Sequence, residues 1–378
     1  LEKRQQTVQL MVRLVTKPGP RHLKSQKKKA STKERVDRLF LWVLSGAGLL
    51  MILSYLSVFI SPKVSSIPMF LGLYFIPLAG LNIILLLIAL GRHTYALFIP
   101  LVVLLPAIFH SDLFLKVGKG DVPEQTGEEV KVLTYNIGRY MLAGKGMSEE
   151  KTISGIRTLI SDENPDIVCL QEFLTRDTAS LFARLPEYPY RYSHFFHGSN
   201  FFGNITLSRY PIVGGKAITF GKSTNLCIKS DVNTKFGIIS IFNCHLESYS
   251  VSFTSIVKRL TRKGYFREEF ASLHDRIGNA TVRRTDQVEK ILEIDRENPY
   301  PSIICGDFND TPVSYTYRQL KSGRKDTFSE AGEGFSSTYS VLWPLLRIDY
   351  ILIPDGLGCS DHKVLRAPYS DHYPVIST

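Results

Sequence analysis

With 378 residues, 44% of them hydrophobic, the chain is long enough for one large domain plus an accessory region and too apolar to be mainly disordered. Its formal charge of +11 is concentrated at one end, because residues 1–38 hold twelve Lys or Arg against Glu2, Glu34 and Asp37, whereas 30 basic residues meet 29 acidic ones from 128 onward. The basic balance therefore reports mainly the tail and gives no reason to expect a nucleic-acid surface over the whole molecule.

Residues 1–38 read as a solvated, basic, cytoplasmic tail. Two uncharged runs follow, Leu39 to Ile60 (22 residues) and Ile67 to Leu90 (24 residues). Both exceed the ~20 residues that cross a hydrocarbon core. Thr94 to Phe109 is a shorter uncharged run of 16 residues with Pro100 and Pro106, and it reaches a full span, 94–112, only by including His110, Ser111 and Asp112. It is expected to cross; the alternative is a buried or re-entrant segment. The first apolar run is too long and starts too late for a cleaved signal peptide. Seven Lys or Arg between 24 and 38 face only Lys63 in the next loop, which puts the tail in the cytoplasm. Three crossings then put the remainder outside it, in a periplasm or at an outer face.

The polar stretch 116–129 (KVGKGDVPEQTGEE) reads as a linker after the transmembrane region 39–115. From 130 to 378, short apolar runs alternate with helical stretches: VKVLTY, a helix near 149–162, DIVCL, a hairpin through ITLS, FGIISIFN, a helix near 281–296, SIIC and IDYILI. This mixture implies an α/β or α+β domain built on sheets that are covered by helices. Cys169, Cys244 and Cys305 sit inside apolar runs and read as buried thiols. Cys227 and Cys359 are left as a pair that an oxidising compartment could join.

Chemistry gathers at the ends of the apolar runs, where a rigid sheet fixes a side chain and the next loop exposes it. Asn136 follows VLTY, Gln171 and Glu172 follow DIVCL, His245 follows FNC, Asp307 and Asn309 lie in GDFND, Asp349 in RIDY, and Asp371 with His372 in SDHYP. Hard carboxylate and amide oxygens suit Mg²⁺ or Mn²⁺, and an Asp or His can position or deprotonate water, so the set fits hydrolysis of a phosphate ester. No nucleophile elbow, P-loop or dinucleotide fingerprint competes with that reading. Each residue alone is as easily a turn or cap; their joint occurrence in order carries the argument.

In TYNI, DIVCLQE, GNITLSRYPI, NCHLES, GDFNDTP, RIDYIL and SDHYPV the sequence resembles the endonuclease/exonuclease/phosphatase superfamily, the deoxyribonuclease-I-like hydrolases, over 130–378. The resemblance implies a four-layer sandwich of two packed β-sheets flanked by helices, here preceded by transmembrane helices. It also implies site roles. Glu172 would be the principal metal ligand, with Asn136 and Asp371 close to the ion. Asp307 would position the water or a metal, Asn309 and His245 would hold the phosphate, and His372, oriented by Asp349, would contact it or act as base. Gln171, Asn204 and Arg347 would support or bind substrate.

Residues 251–284 hold eight basic and three acidic residues with Phe253, Tyr265, Phe266 and Phe270 interleaved, a pattern suited to anionic lipid or nucleic acid. An amphipathic helix packing its aromatics on the domain gives the same pattern. The expectation is a membrane-tethered Mg²⁺- or Mn²⁺-dependent phosphodiesterase, nuclease or phosphatase acting on nucleic acid, a lipid head group or a small phosphodiester, in contact with membrane lipid and with no obligate protein partner. Its competitors are a catalytically inactive membrane-held scaffold and a cytoplasm-facing nuclease.

Overall fold

The computed structural model describes residues 31–118, 128–138, 148–175, 187–196, 201–249 and 266–378. Most of the basic tail, most of the expected linker and residues 251–265 of the basic stretch lie outside the described residues.

The apolar region forms four helices: α1 (Thr32–Tyr55), continued by a 3-10 turn at Leu56–Val58, then α2 (Ser66–Leu73), α3 (Phe75–Gly91) and α4 (Phe98–Ile108). Thr32–Val58 is long and apolar enough to cross a membrane, whereas the expected second span is bent by 66° between α2 and α3. Pro77 explains the break. It has no N–H to donate, and in a continuous helix its ring would strike the carbonyl of Leu73. As the third residue of α3 it lies in a first turn, where the missing donor costs nothing. The expected third span, 94–112, is a shorter apolar helix over Tyr95–Ile108, followed by a separate 3-10 turn at Ser111–Leu113. These helices interlock closely: a Cβ on Gly48 would lie 3.2 Å from the Ile99 side chain, and the Tyr55 hydroxyl donates to the Val103 carbonyl at 2.8 Å.

The chain leaving α4 corrects the linker reading at its start. Residues Leu115–Lys116 form a short strand, β1, rather than free linker. The domain then unfolds in chain order as β2 (Val132–Asn136), α5 (Glu149–Glu163), β3 (Ile167–Thr175), β4 (Tyr190–Phe196), β5 (Phe201–Ser208), β6 (Ile212–Thr219), β7 (Leu226–Thr234), β8 (Gly237–His245), α6 (Phe266–Arg296), β9 (Ser302–Asp307), α7 (Tyr315–Lys321), β10 (Arg324–Asp326), α8 (Thr327–Ala331), β11 (Gly334–Phe335), β12 (Asp349–Pro354), β13 (His362–Val364) and β14 (Val375–Ser377). The second helix starts at Phe266, well before the expected 281.

Two six-stranded mixed sheets run in the orders β13-β14-β2-β3-β5-β4 and β10-β12-β9-β8-β7-β6. Each contains one parallel pair at its centre, β2 with β3 and β8 with β9. Alternation along the strands builds the layers. Val132, Ile167, Cys169, Ile241, Ile303, Cys305 and Ile351 meet between the sheets. Leu133, Tyr135, Val168 and Leu170 point the other way, onto Ile156 and Ile160 of α5. Phe242, Ile304, Tyr350 and Leu352 pack on Val288 and Ile291 of α6 and on Tyr317 and Leu320 of α7. The result is the four-layer sandwich, helix, sheet, sheet, helix, with central strands buried on both faces and correspondingly apolar throughout.

All five cysteines are buried and free. Cys227 lies against Cys244, sulfur to sulfur at 3.3 Å, while Cys359 sits in the core between the sheets; the Cys227–Cys359 pairing does not occur.

His362 is 5% exposed, with its Nδ1 2.9 Å from both Thr327 Oγ1 and Ser377 Oγ. Burial, reinforced by the nearby Arg347 charge and opposed by Asp326 and Asp361, pushes the imidazole down to about 3. The unfolded chain takes up this proton near pH ~6.5. The stability due to a neutral His362 is thus complete above that pH and is lost at about 1.4 kcal/mol per pH unit as the medium becomes more acid. Urea unfolding at a series of pH values should show this acid slope, and His362→Gln should flatten it. Equal slopes would mean that the folded protein accommodates a charged imidazole.

Candidate active site

Register alone assembles the centre of the site. In the second sheet Asp349 pairs with Asp307 across β12 and β9, and Asp307 pairs with His245 across β9 and β8. Three polar residues, each at most 4% exposed, thus stand in one row at the end of otherwise apolar strands. Gly306 makes this row feasible: it has φ +123°, and a Cβ there would lie 2.0 Å from the Cys244 carbonyl oxygen in β8. Only glycine tolerates both conditions.

The first sheet contributes from the opposite side. Asn136 ends β2 and donates from Nδ2 to Asp307 Oδ2 at 2.9 Å, joining the two sheets. Glu172 does not follow β3, as the sequence reading had it, but sits within that strand at a register shift between Leu170 and Phe173. Its φ of +53° is a conformation that costs a non-glycine residue about 1–3 kcal/mol. The bulge turns its carboxylate to within 3.2 Å of His245 Nε2 and 3.5 Å of Asn136 Nδ2.

His372 closes the site from the loop before β14. Its Nδ1 lies 2.9 Å from Asp349 Oδ2, and its Nε2 is 3.8 Å from Asp307 Oδ2. Burial works against a charge on this ring, but Asp349 and Asp307 outweigh it and lift the imidazole to about 10. Burial lifts Asp307 to about 6, against the pull of His372 and His245. Burial likewise disfavours a charge on His245, yet the Glu172 hydrogen bond and carboxylate raise it overall. Asn309 holds a turn: its backbone N–H donates to Asp307 Oδ1 at 2.8 Å, and its Nδ2 reaches Asp307 Oδ2 at 3.0 Å. Asp371 stands at the rim, its Oδ1 3.2 Å from where a Cβ on Gly138 would be.

Three expected residues lie behind the centre rather than in it. Gln171 is fully buried and donates to Thr134 Oγ1 at 2.9 Å and Asn243 Oδ1 at 2.8 Å. Asn204 donates to the carbonyls of Leu226 and Asn243. Arg347 does not reach the site: it pairs with Asp326 at 2.6 Å inside the domain. The basic stretch 251–284 is corrected in part, since Arg284 is 0% exposed and forms an ion pair with Asp310 at 2.9 Å, bracing the loop after Asn309. Residues missed from the sequence include Tyr339, whose ring meets His372 edge-on at 5.3 Å, and Asn225, 3.5 Å from His245 Nε2. Both come from loops with no periodicity, and nothing in their neighbours marks them. Asn243, at the hub of the buried amides, was hidden inside an apolar strand.

Such a centre defines a polar hydrolase site at the shared end of two sheets. Residues 133–372, more than half of the chain, match the Endonuclease/Exonuclease/phosphatase family. The chain belongs to that family, whose members hydrolyse phosphodiester bonds. Residues 37–113 match a domain of unknown function (DUF8431). Among solved structures, the chain is similar to an endonuclease/exonuclease/phosphatase from Beutenbergia cavernae, with 18% identity, a TM-score of 0.48 and coverage of 66% of this chain and 70% of that one. The family protein from Bacteroides vulgatus gives 18%, 0.49, and 66% and 98%. The human Nocturnin catalytic domain with bound sulfate gives 20%, 0.46, and 66% and 93%. These likenesses carry no argument about substrate. Comparison with curated proteins gives no match.

Proposed function

We propose that the chain is a membrane-tethered phosphoesterase that uses Mg²⁺ or Mn²⁺ and directs water at a phosphate ester without a covalent intermediate. The observation that carries this reading is the convergence of the Asp349–Asp307–His245 row with Asn136, Glu172 and His372. The donor chemistry fits a hard cation: carboxylates and amides face the site, and all five thiols are buried. Asp307, Asp349 and His372 offer atoms within 4.8 Å of one another, a spacing that also suits an ion. The 2.9 Å contact between Asp349 and His372 Nδ1 instead favours a carboxylate–imidazole pair there, so Glu172 is assigned as principal ligand, with Asn136 and Asp371 beside it. A bound ion would neutralise charge on the phosphate and acidify water.

The chain's own residues do the rest. Asp307, fixed by Asn136 and Asn309, orients the attacking water and takes its proton as the new O–P bond forms. His372, held charged by Asp349, donates from Nε2 to a phosphate oxygen while the ester P–O bond breaks and the leaving alkoxide departs, taking up a proton from solvent. His245 supplies a further donor to the phosphate, and Asn309, whose Nδ2 hydrogens reach Leu246 and Asp307, would turn one of them to it.

The tether reading rests on the apolar helices. The tail is assigned to the cytoplasm and the catalytic domain to the other side. Support comes from the contacts of the helix ends. Ser57, after α1, donates to the Val313 carbonyl at 2.7 Å, and Leu113, after α4, accepts from Ser336 Oγ at 2.9 Å. Both ends therefore meet the same domain, as an odd number of crossings requires.

Hydrolysis of bis-nitrophenyl phosphate by the full chain in detergent tests the reaction. Chelation should abolish turnover and Mg²⁺ or Mn²⁺ should restore it; full turnover after exhaustive chelation would remove the ion from the account. Asp349→Asn and His372→Asn should each lower the rate by about 10²–10⁴-fold, and the double variant should be little worse than either. Multiplicative losses would show that the two side chains act separately.

A further inference from the structure

The segment that closes over His372 is also the segment sewn to the end of the apolar helices. Strand β1, which follows α4 after a 3-10 turn at Ser111–Leu113, pairs with β11, Leu115 opposite Phe335 and Lys116 opposite Gly334. Ser336 extends the seam, its N–H donating to the Phe114 carbonyl at 3.0 Å and its hydroxyl to Leu113. Three residues later Tyr339 forms a bridge with His372, and the N–H of Ser340 donates to the Asp371 carbonyl at 2.8 Å.

Between these anchor points a loop protrudes. The N–H groups of Thr338 and Tyr339 both donate to the Leu346 carbonyl, at 3.1 Å, and pinch its neck. The protruding sequence, Ser340 to Leu346, is SVLWPLL, without a charge. Val341, Trp343 and Leu345 are 43%, 41% and 49% exposed, and Phe335, 45% exposed, lies beneath them. The Phe335 and Trp343 rings meet at 5.7 Å, and the Arg366 guanidinium lies 4.5 Å from the Trp343 ring centroid. Large apolar side chains at a loop tip, with an amphipathic indole and a flanking cation, suit the boundary between hydrocarbon and headgroups.

The helices also hold the loop that follows Asn309. Val313, four residues after Asn309, is buried in one cluster with Met51, Phe75 and Val103. Phe114 of the first seam packs on the same cluster, its ring 5.7 Å from that of Phe75, so the loop after Asn309 and the segment that closes over His372 are tied to the apolar helices together, and the apolar loop continues this attachment.

We propose that the Ser340–Leu346 loop rests in the surface of the same bilayer that holds the helices, and that the site takes its phosphoester from a lipid headgroup presented there. This rests on the membrane-tethered phosphoesterase reading. The loop next to His372 carries no charge with which to follow a polynucleotide backbone. A lipid headgroup needs a catalytic centre close to the bilayer surface, which the attachment to the apolar helices supports.

The test exploits tryptophan content, since Trp42 and Trp343 are the only two in the chain. The full-length Trp42→Phe variant would be reconstituted into phosphatidylethanolamine–phosphatidylglycerol vesicles containing phosphatidylcholine brominated at the headgroup end or at the methyl end of its acyl chains. Trp343 emission should be quenched by the first lipid more than by the second. Emission unaffected by either, from protein that stays with the vesicles through a carbonate wash, would overturn the proposal. As a second measurement, Val341→Ser/Trp343→Ser/Leu345→Ser should lower the ratio of vesicle-headgroup hydrolysis to bis-nitrophenyl phosphate hydrolysis by about tenfold or more, as expected from lost apolar burial at the interface. An unchanged ratio, or a parent protein that cleaves DNA or RNA in preference to headgroups, would also overturn it. Failure of the underlying reading looks different: loss of the protein in the carbonate wash would refute the tether, and no hydrolysis of bis-nitrophenyl phosphate would refute the phosphoesterase.

Discussion

The structure depends on one carboxylate. Asp307 ends a strand buried on both faces, is 1% exposed, and draws hydrogen bonds from Asn136 in the other sheet and from Asn309 in its own turn. A buried carboxylate without such donors would cost several kcal/mol. Satisfying it requires the two sheets to meet at this end with fixed register, and the same register brings Asp349 and His245 to either side. The packing of the sandwich and the geometry of the site are therefore one constraint.

Behind the centre, buried amides replace apolar packing. Gln171 donates to Thr134 in its own sheet and to Asn243 in the other, and Asn204 and Asn243 donate across the sheets to main-chain carbonyls. Two buried ion pairs, Arg284 with Asp310 and Arg347 with Asp326, brace the loops that leave the sheets. Such pairs add little net stability over a well-packed apolar core, but removing one partner strands the other, so they hold specific geometry. The positive φ at Glu172 and Asn309 marks where this rigid frame carries backbone strain next to the chemistry.

Much of this was legible in the sequence because the central strands are continuous apolar runs and their ends are polar. VLTY, DIVCL, FGIISIFN, SIIC and IDYILI all became strands, and the helix at Glu149–Glu163 begins after its Ser148 cap. What stayed hidden depended on long-range contacts or on backbone detail. Alternation makes Gln171 and Glu172 point to opposite faces, and only the bulge in β3 decides which one reaches the site. Arg284 and Arg347 read as surface or supporting cations, yet their partners, Asp310 and Asp326, lie more than twenty residues away in sequence. Pro77 was visible, but a hydropathy run alone does not say that a proline three residues into a helix separates it from the one before. The β1–β11 pairing joins two residues to two others more than two hundred positions away, and no periodicity announces it.

The central claim is that an oxygen-loving ion belongs at the meeting point of the two sheets, held chiefly by Glu172. Crystals of the full chain grown in detergent with Mn²⁺, measured at the manganese absorption edge, test it most directly. The account predicts one anomalous peak bounded by Glu172, Asn136 and Asp371, and its loss in Glu172→Gln. A peak seated instead on Asp349 and His372, or one that survives the Glu172 substitution unchanged, would contradict it.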